Sequence, residues 1–155
     1  EARGARWPEI DLDAGVWTIP AERMKTGKAH KVPLGNEALA LLQGLPRLAD
    51  SDLIFFAPRG GQMSDMTLLA VLRRMAVDAV PHGFRSTFRD WCAERTNYPQ
   101  HVAEMALAHT IGDKVEAAYR RGDLMEKRRR MMQEWATYCT IPRPAGEVVA
   151  LASVR

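Results

Sequence analysis

Cysteine is scarce in this sequence. Cys92 and Cys139 are the two among 155 residues, far apart and without any metal-ligand spacing. That count argues against a disulfide-stapled secreted domain and a zinc module, and fits free thiols in a reducing cytosol. Long apolar runs are missing as well: none approaches the ~20 residues that cross a bilayer. No signal peptide is visible, since Glu1-Ala2-Arg3 opens onto no apolar stretch. One-sided charge is also lacking. Lys and Arg number 22 against 19 Asp and Glu, a formal +3 that does not announce a nucleic-acid partner by composition alone. Where the arginines fall decides the matter. An initiator Met is absent too, and Glu1 to Trp7 reads as the middle of a helix, the pattern of an excised fragment of a longer protein. What is present is ordinary: 46% hydrophobic and 26% charged residues, enough for one domain with a real core.

The pattern along the chain predicts a mostly helical domain with a small antiparallel sheet, an α+β fold. Val16-Trp17-Thr18-Ile19-Pro20 is β-branched and aromatic, a strand by propensity. Arg23-Met24-Lys25 continues extended, Thr26-Gly27 turns, and His30 to Leu34 returns as the partner strand. Lys25 therefore lies on a hairpin beside a tight turn, with Lys28 and Lys31 adding basic charge and His30 read as a surface strand residue. Asn36 is the expected N-cap of a helix that Gly44 ends. Leu53 to Phe56 reads as a third strand of the hairpin's sheet. Ser64 caps the next helix, whose Leu68, Leu69, Leu72 and Met75 face the core, and Val80-Pro81 breaks it. Phe84, Phe88 and Trp91 then recur at helical spacing, and Pro99 opens a helix carrying Val102, Met105, Ala106 and Leu107. Glu126 to Tyr138 is the last helix, with Met132, Trp135 and Ala136 inward. Its run Lys127-Arg128-Arg129-Arg130 is either a solvated face or a DNA contact. Past Thr140, Ile141-Pro142-Arg143-Pro144 stops the helix and Val148 to Val154 is apolar and β-prone. That tail is disordered, packed in cis, or added to a neighbour's sheet.

The chemistry concentrates between His82 and Tyr119. His82-Gly83-Phe84-Arg85 is followed by Leu107-Ala108-His109 and, ten residues after His109, by Tyr119-Arg120. An arginine offers a planar fork of donors to phosphate oxygens. Histidines donate hydrogen bonds or move a proton near neutral pH. A tyrosine hydroxyl, once deprotonated, attacks phosphorus. His82 and Arg85 are three apart, so a helix starting at about Gly83 places them together at its N-terminus, a natural seat for a phosphate. Tyr98, before a proline, and Tyr138, on a helix with Met131 and Trp135, are weaker nucleophile candidates.

The ordered set resembles the tyrosine recombinases, the phage integrase family, and Leu107-Ala108-His109 with Lys114 to Tyr119 is similar to the satellite-phage and genomic-island integrases. The resemblance runs from Glu1 to about Tyr138. It matches Glu1, Trp7 and Glu9-Ile10-Asp11 to the family's Arg-x-Gly-Glu motif and the Trp and acidic-Ile-Asp segment that follow it, which places the first catalytic arginine three positions before Glu1. The resemblance implies a catalytic domain over residues 1–139, truncated at its N-terminus, and a tail over 140–155 open to exchange between protomers. It implies Tyr119 as nucleophile, Arg85, His82 and His109 around the scissile phosphate, and Lys25 as general acid, with Lys28 a competitor for that role. Lys25, Lys28, Arg85 and Arg120 would contact DNA. The implied partners are double-stranded attachment sites and further protomers in a tetramer, in the bacterial cytosol at the nucleoid, with no membrane, no cofactor and no metal. The rivals are a non-catalytic DNA-binding module of the same fold, a type IB topoisomerase, and a metal hydrolase built on His82, His101 and His109.

Overall fold

Val16–Ile19 (β2) is the middle strand of a three-stranded antiparallel sheet, flanked by Ile10–Asp11 (β1) and His30–Pro33 (β3). The register sets Trp17 opposite both Ile10 and Val32, and Ile19 opposite His30. The computed structural model describes residues 1–109 and 122–141. Ile19 is buried, and Asp11 closes the β1–β2 turn by accepting the Ala14 N–H at 2.7 Å. Five helices follow among the described residues: Asn36–Gln43 (α1), Thr67–Arg74 (α2), Gly83–Arg95 (α3), Gln100–Ala106 (α4) and Met125–Thr140 (α5). The α+β expectation holds.

Two cores flank the sheet's connections. Phe88, Trp91 and Cys92 of α3, Val102 and Ala103 of α4 and Met131 of α5 form one. Trp135 caps it, edge-on to Phe88 at 5.4 Å and 5.2 Å from Trp91 between ring centroids, geometries favoured by the ring quadrupoles. Ala5, Leu42 and Ile54 form the other, with Trp7, Trp17 and Leu34 packed against it. Helix α1 docks on α5 at a close approach: a Cβ on Gly35 would meet the Ala136 Cβ at 2.8 Å. The Gln133 side chain of α5 accepts the Asn36 N–H at 2.7 Å, so α1 is capped from another helix.

Several expectations are corrected. The opening residues form two 3-10 turns, Ala2–Gly4 and Trp7–Glu9, instead of an α-helix. The reason is competition for backbone groups: the Trp7 N–H goes to the Asp52 carbonyl and the Ile54 N–H to the Ala5 carbonyl. For the same reason Leu53 bridges Arg6, Phe56 bridges Gln62, and the segment stays outside the hairpin's sheet, whose third strand is β1. Of the run Arg23-Met24-Lys25 expected to be extended, Met24 is, but Arg23 ends a 3-10 turn over Ala21–Arg23 and Lys25 lies in a turn. Arg23 is tied to the nearly buried Glu9 carboxylate, which also accepts the Trp17 indole N–H. Gly35, not Asn36, is the N-cap residue of α1. Met66 takes that place in α2, and Ser64 only meets the Thr67 hydroxyl at 3.2 Å. Pro99 is likewise the N-cap of α4 instead of lying in its first turn. On α2 only Leu72 is buried. Leu68 and Met75, and Phe84 on α3, are exposed because no described element packs over that side.

Candidate active site

Helix α4 ends in a left-handed residue, and that ending makes the site. Ala108 has φ +54°. The Ala108 N–H returns to the Met105 carbonyl at 3.1 Å and the His109 N–H to the Glu104 carbonyl at 2.9 Å. This is the Schellman pattern, formed here with alanine at a position where glycine carries no Cβ penalty. It reverses the chain at once and points His109 back along its own helix.

His109 is gripped on both ring nitrogens. Its Nδ1 pairs with the Glu104 carboxylate, and its Nε2 accepts from Arg85 Nε at 3.2 Å. The pairing assigns the ring proton to Nδ1. Arg85, half-buried in the first turn of α3, also donates through Nη2 to the Leu107 carbonyl. Of the five N–H donors of a guanidinium, these two bonds use two; three remain without a partner among the described residues. His82 is the N-cap residue of α3, exposed, with its carbonyl taking the Arg85 N–H at 3.1 Å. The Arg85 fork and the His109 imidazole thus meet beside the helix N-terminus that His82 begins, a grouping suited to an anion bearing several oxygens.

The hairpin closes a second side. Met24 is buried and anchors a turn in which the Gly27 N–H returns to the Met24 carbonyl at 2.9 Å, with Gly27 at φ +65°. Lys25 occupies this turn, exposed and making no ion pair among the described residues. Lys28 lines a cavity of about 420 Å³ together with His30, His109 and Arg128; Lys25 does not. His30, expected at the surface, is half-buried and donates from Nε2 to the Ala106 carbonyl at 3.3 Å. Burial, and then repulsion by Arg128, lowers its pKa. Arg128 fits neither the solvated face nor the DNA contact expected of its basic run. It is 2% exposed, donating to the Lys31 carbonyl and, at 3.2 Å, to the Asp123 carbonyl. Arg129 likewise donates to the Ala14 carbonyl at 3.0 Å. Two members of the run therefore brace the sheet.

Tyr119 and Arg120 lie outside the described residues, as does the tail from residue 142. The Tyr98 hydroxyl donates to Glu134 at 2.7 Å, and burial with that carboxylate pushes its pKa up to about 12. Tyr138 stacks on Trp135. Arg3 and Arg6 are held by Asp65 and Asp52. Among the described residues no cluster of three potential metal ligands occurs, and no helix is long and apolar enough to cross a membrane. Glu104 escaped the sequence reading; its signal is the five-residue offset from His109, which a Schellman ending converts into contact.

Arg85, His109 and Glu104 are thus joined at the end of α4, with guanidinium donors left open among the described residues. The sequence profile of the phage integrase family matches residues 1–125. The chain is 40% identical over 141 residues to the prophage integrase IntA of Escherichia coli K12, covering 88% of this chain and 34% of that protein. It is 34% identical over 163 residues to the integrase of Enterobacteria phage P4, covering 92% and 37%. To the tyrosine recombinase XerC of Xanthomonas campestris it is 30% identical over 114 residues, covering 68% and 34%. The chain belongs to the phage integrase family. It spans between a third and about two-fifths of the length of the curated relatives it matches.

Proposed function

We propose that this chain is the catalytic portion of a site-specific DNA recombinase that integrates or excises a phage or genomic island. The observation that supports it most is the Arg85–His109 pair, a guanidinium fixed on its protein side with three donors unpartnered among the described residues and available to a phosphodiester. Tyr98 and Tyr138 are engaged in the fold, which supports Tyr119, the third tyrosine of the sequence, as the nucleophile. Its oxygen bonds to the scissile phosphorus as the bond from phosphorus to the 5′ oxygen breaks. The phenolic proton passes to His82, and the departing 5′ oxygen takes one from Lys25. Arg85 and His109 neutralise the charge that develops on the non-bridging oxygens. The products are a 3′-phosphotyrosyl link and a free 5′ hydroxyl; attack by another strand's 5′ hydroxyl reverses the step. The phosphodiester is exchanged, not hydrolysed, so no nucleotide needs to be consumed.

Lys25, Lys28 and Arg120 add phosphate contacts whose strength falls with salt. The partners are double-stranded attachment sites and other protomers arranged as a tetramer on DNA, at the bacterial nucleoid. The test is covalent trapping. The chain, alone and extended upstream through the arginine that the family motif places before Glu1, is incubated with nicked duplex bearing the attachment site and run on a denaturing gel. A shifted band that Tyr119→Phe abolishes is expected from the extended protein. The chain alone should trap ~10²–10³-fold more slowly, the usual cost of one missing charge-stabilising group. No band from either, with DNA binding retained, would reduce the domain to a DNA-binding module.

A further inference from the structure

We infer that Glu104 is a positioning residue for His109: its carboxylate holds the imidazole in the Nδ1–H form and turns Nε2 towards the phosphate. The inference rests on the recombinase reading for its consequence, but not for its geometry. Glu104 sits on α4 with its side chain 19% exposed, and Oε2 meets His109 Nδ1. Its other oxygen, Oε1, lies 3.0 Å from Arg89 Nη2, a charge contact off the hydrogen-bond direction. Arg89 on α3 stands one turn beyond Arg85, so the contacts run Arg89, Glu104, His109, Arg85 and return to the same helix. The backbone makes this closure possible, because the His109 N–H bonds the carbonyl of the residue whose side chain holds its ring.

The chemistry follows from what an imidazole offers. A neutral ring donates from one nitrogen and accepts at the other, and which does which is set by the partner of the far nitrogen. With Nδ1–H given to Glu104, Nε2 accepts from Arg85 in the resting site. When a phosphodiester draws the guanidinium outward, Nε2 is the atom left facing it. A proton taken there from solvent water gives an imidazolium that donates to the phosphate from Nε2 while Glu104 balances its charge from behind. Without Glu104 the ring is free to rotate or to exchange its proton between nitrogens. The nitrogen presented to the phosphate is then no longer fixed.

Two measurements test this. In the 155-residue chain, two-bond proton–nitrogen couplings of the His109 ring report the tautomer. The wild type is expected as a single Nδ1–H form and Glu104→Ala as an exchanging mixture. Alanine is the best helix former, so the fold is kept, and an unchanged melting temperature checks it. In the extended protein, Glu104→Ala should slow formation of the Tyr119 adduct by roughly 10- to 100-fold, as loss of an outer partner does for metal-bound histidines. Glu104→Gln, whose amide oxygen still accepts from Nδ1, should recover most of that rate. An unaltered tautomer in Glu104→Ala, or an adduct rate within twofold of wild type, overturns the inference. A wild-type protein that forms no adduct refutes the recombinase reading, while the ring couplings still decide whether Glu104 orients His109.

Discussion

Replacing Arg128 separates two views of a buried charge. The residue is 2% exposed, has no carboxylate partner among the described residues, leaves Nε unpaired, and spends Nη1 and Nη2 on the Asp123 and Lys31 carbonyls. Burial accordingly lowers its pKa, with Asp123 opposing. Removing the guanidinium loses hydrogen bonds worth about 1.5–3 kcal/mol each when one partner is charged, though the carbonyl of exposed Asp123 regains water. It also relieves the desolvation of a cation, a term of several kcal/mol. These terms nearly offset each other, so the outcome turns on the stem. Arg128→Met keeps an apolar chain of similar length and should cost about 1 kcal/mol or less. Arg128→Ala opens a cavity as well and should cost about 2–3 kcal/mol more than Met. Arg128→Lys keeps the buried charge, cannot span both carbonyls, and should be at least as damaging as Ala. Urea denaturation followed by circular dichroism reads the order directly, and about 2–4 °C of melting temperature per kcal/mol gives a second measure. Met no better than Ala would show that the hydrogen bonds, not the stem, dominate, and would refute this reasoning.

Ala108→Gly removes a Cβ from a left-handed residue at φ +54°. The strain relieved is about 1–2 kcal/mol and the added chain entropy about 0.5–1, so the urea midpoint should rise slightly; a loss above about 1 kcal/mol would contradict it. His30 gives a pH signature. Burial and the positive charges of Arg128 and Arg85 hold its pKa below the ordinary 6.5, against the Ala106 carbonyl and Glu1, which favour the proton. The unfolded chain then binds the proton first, so the contribution to stability is complete above 6.5 and drains away as pH falls towards the folded value. His30→Gln should remove that part of the decline between pH 7 and 5 in denaturant titrations, and an identical profile would count against a buried neutral ring.

How much of this was legible in the sequence depended on whether the signal was local. The β2–β3 hairpin could be read because β-branched and aromatic residues gather in β2 ahead of a Thr-Gly turn, and α3 because Phe88 and Trp91 recur at helical spacing. The core partners on α5 were visible for the same reason. The opening turns were misread because their backbone groups are claimed by residues 52–54, a pairing no local pattern announces. Arg128 was hidden inside four consecutive basic residues, since a charge run reads as a solvated face and only tertiary packing singles out the member it buries. His30 was assigned to the surface because a polar residue on a strand beside two lysines ordinarily faces water. The Ala108 reversal carries no glycine to mark it.

The residues that gather around the proposed phosphate seat also complete the end of a helix. The last carbonyls of an α-helix have no partner within it, and here each one is taken. The Glu104 and Met105 carbonyls accept the His109 and Ala108 N–H groups, the Ala106 carbonyl meets His30, and the Leu107 carbonyl meets Arg85. The negative pole of the helix favours the arginine there. Capping α4 and assembling the site are therefore one set of contacts, which explains why Arg85, His30 and His109 converge from three different elements. It also limits what substitution can prove. Arg85→Ala would strip a cation from the proposed phosphate seat and orphan the Leu107 carbonyl together, so lost activity alone would not demonstrate contact with DNA. Glu104 acts through its side chain, while the carbonyl that closes the cap belongs to the backbone. Its substitution leaves the cap in place, so it isolates the chemistry from the fold where Arg85 cannot.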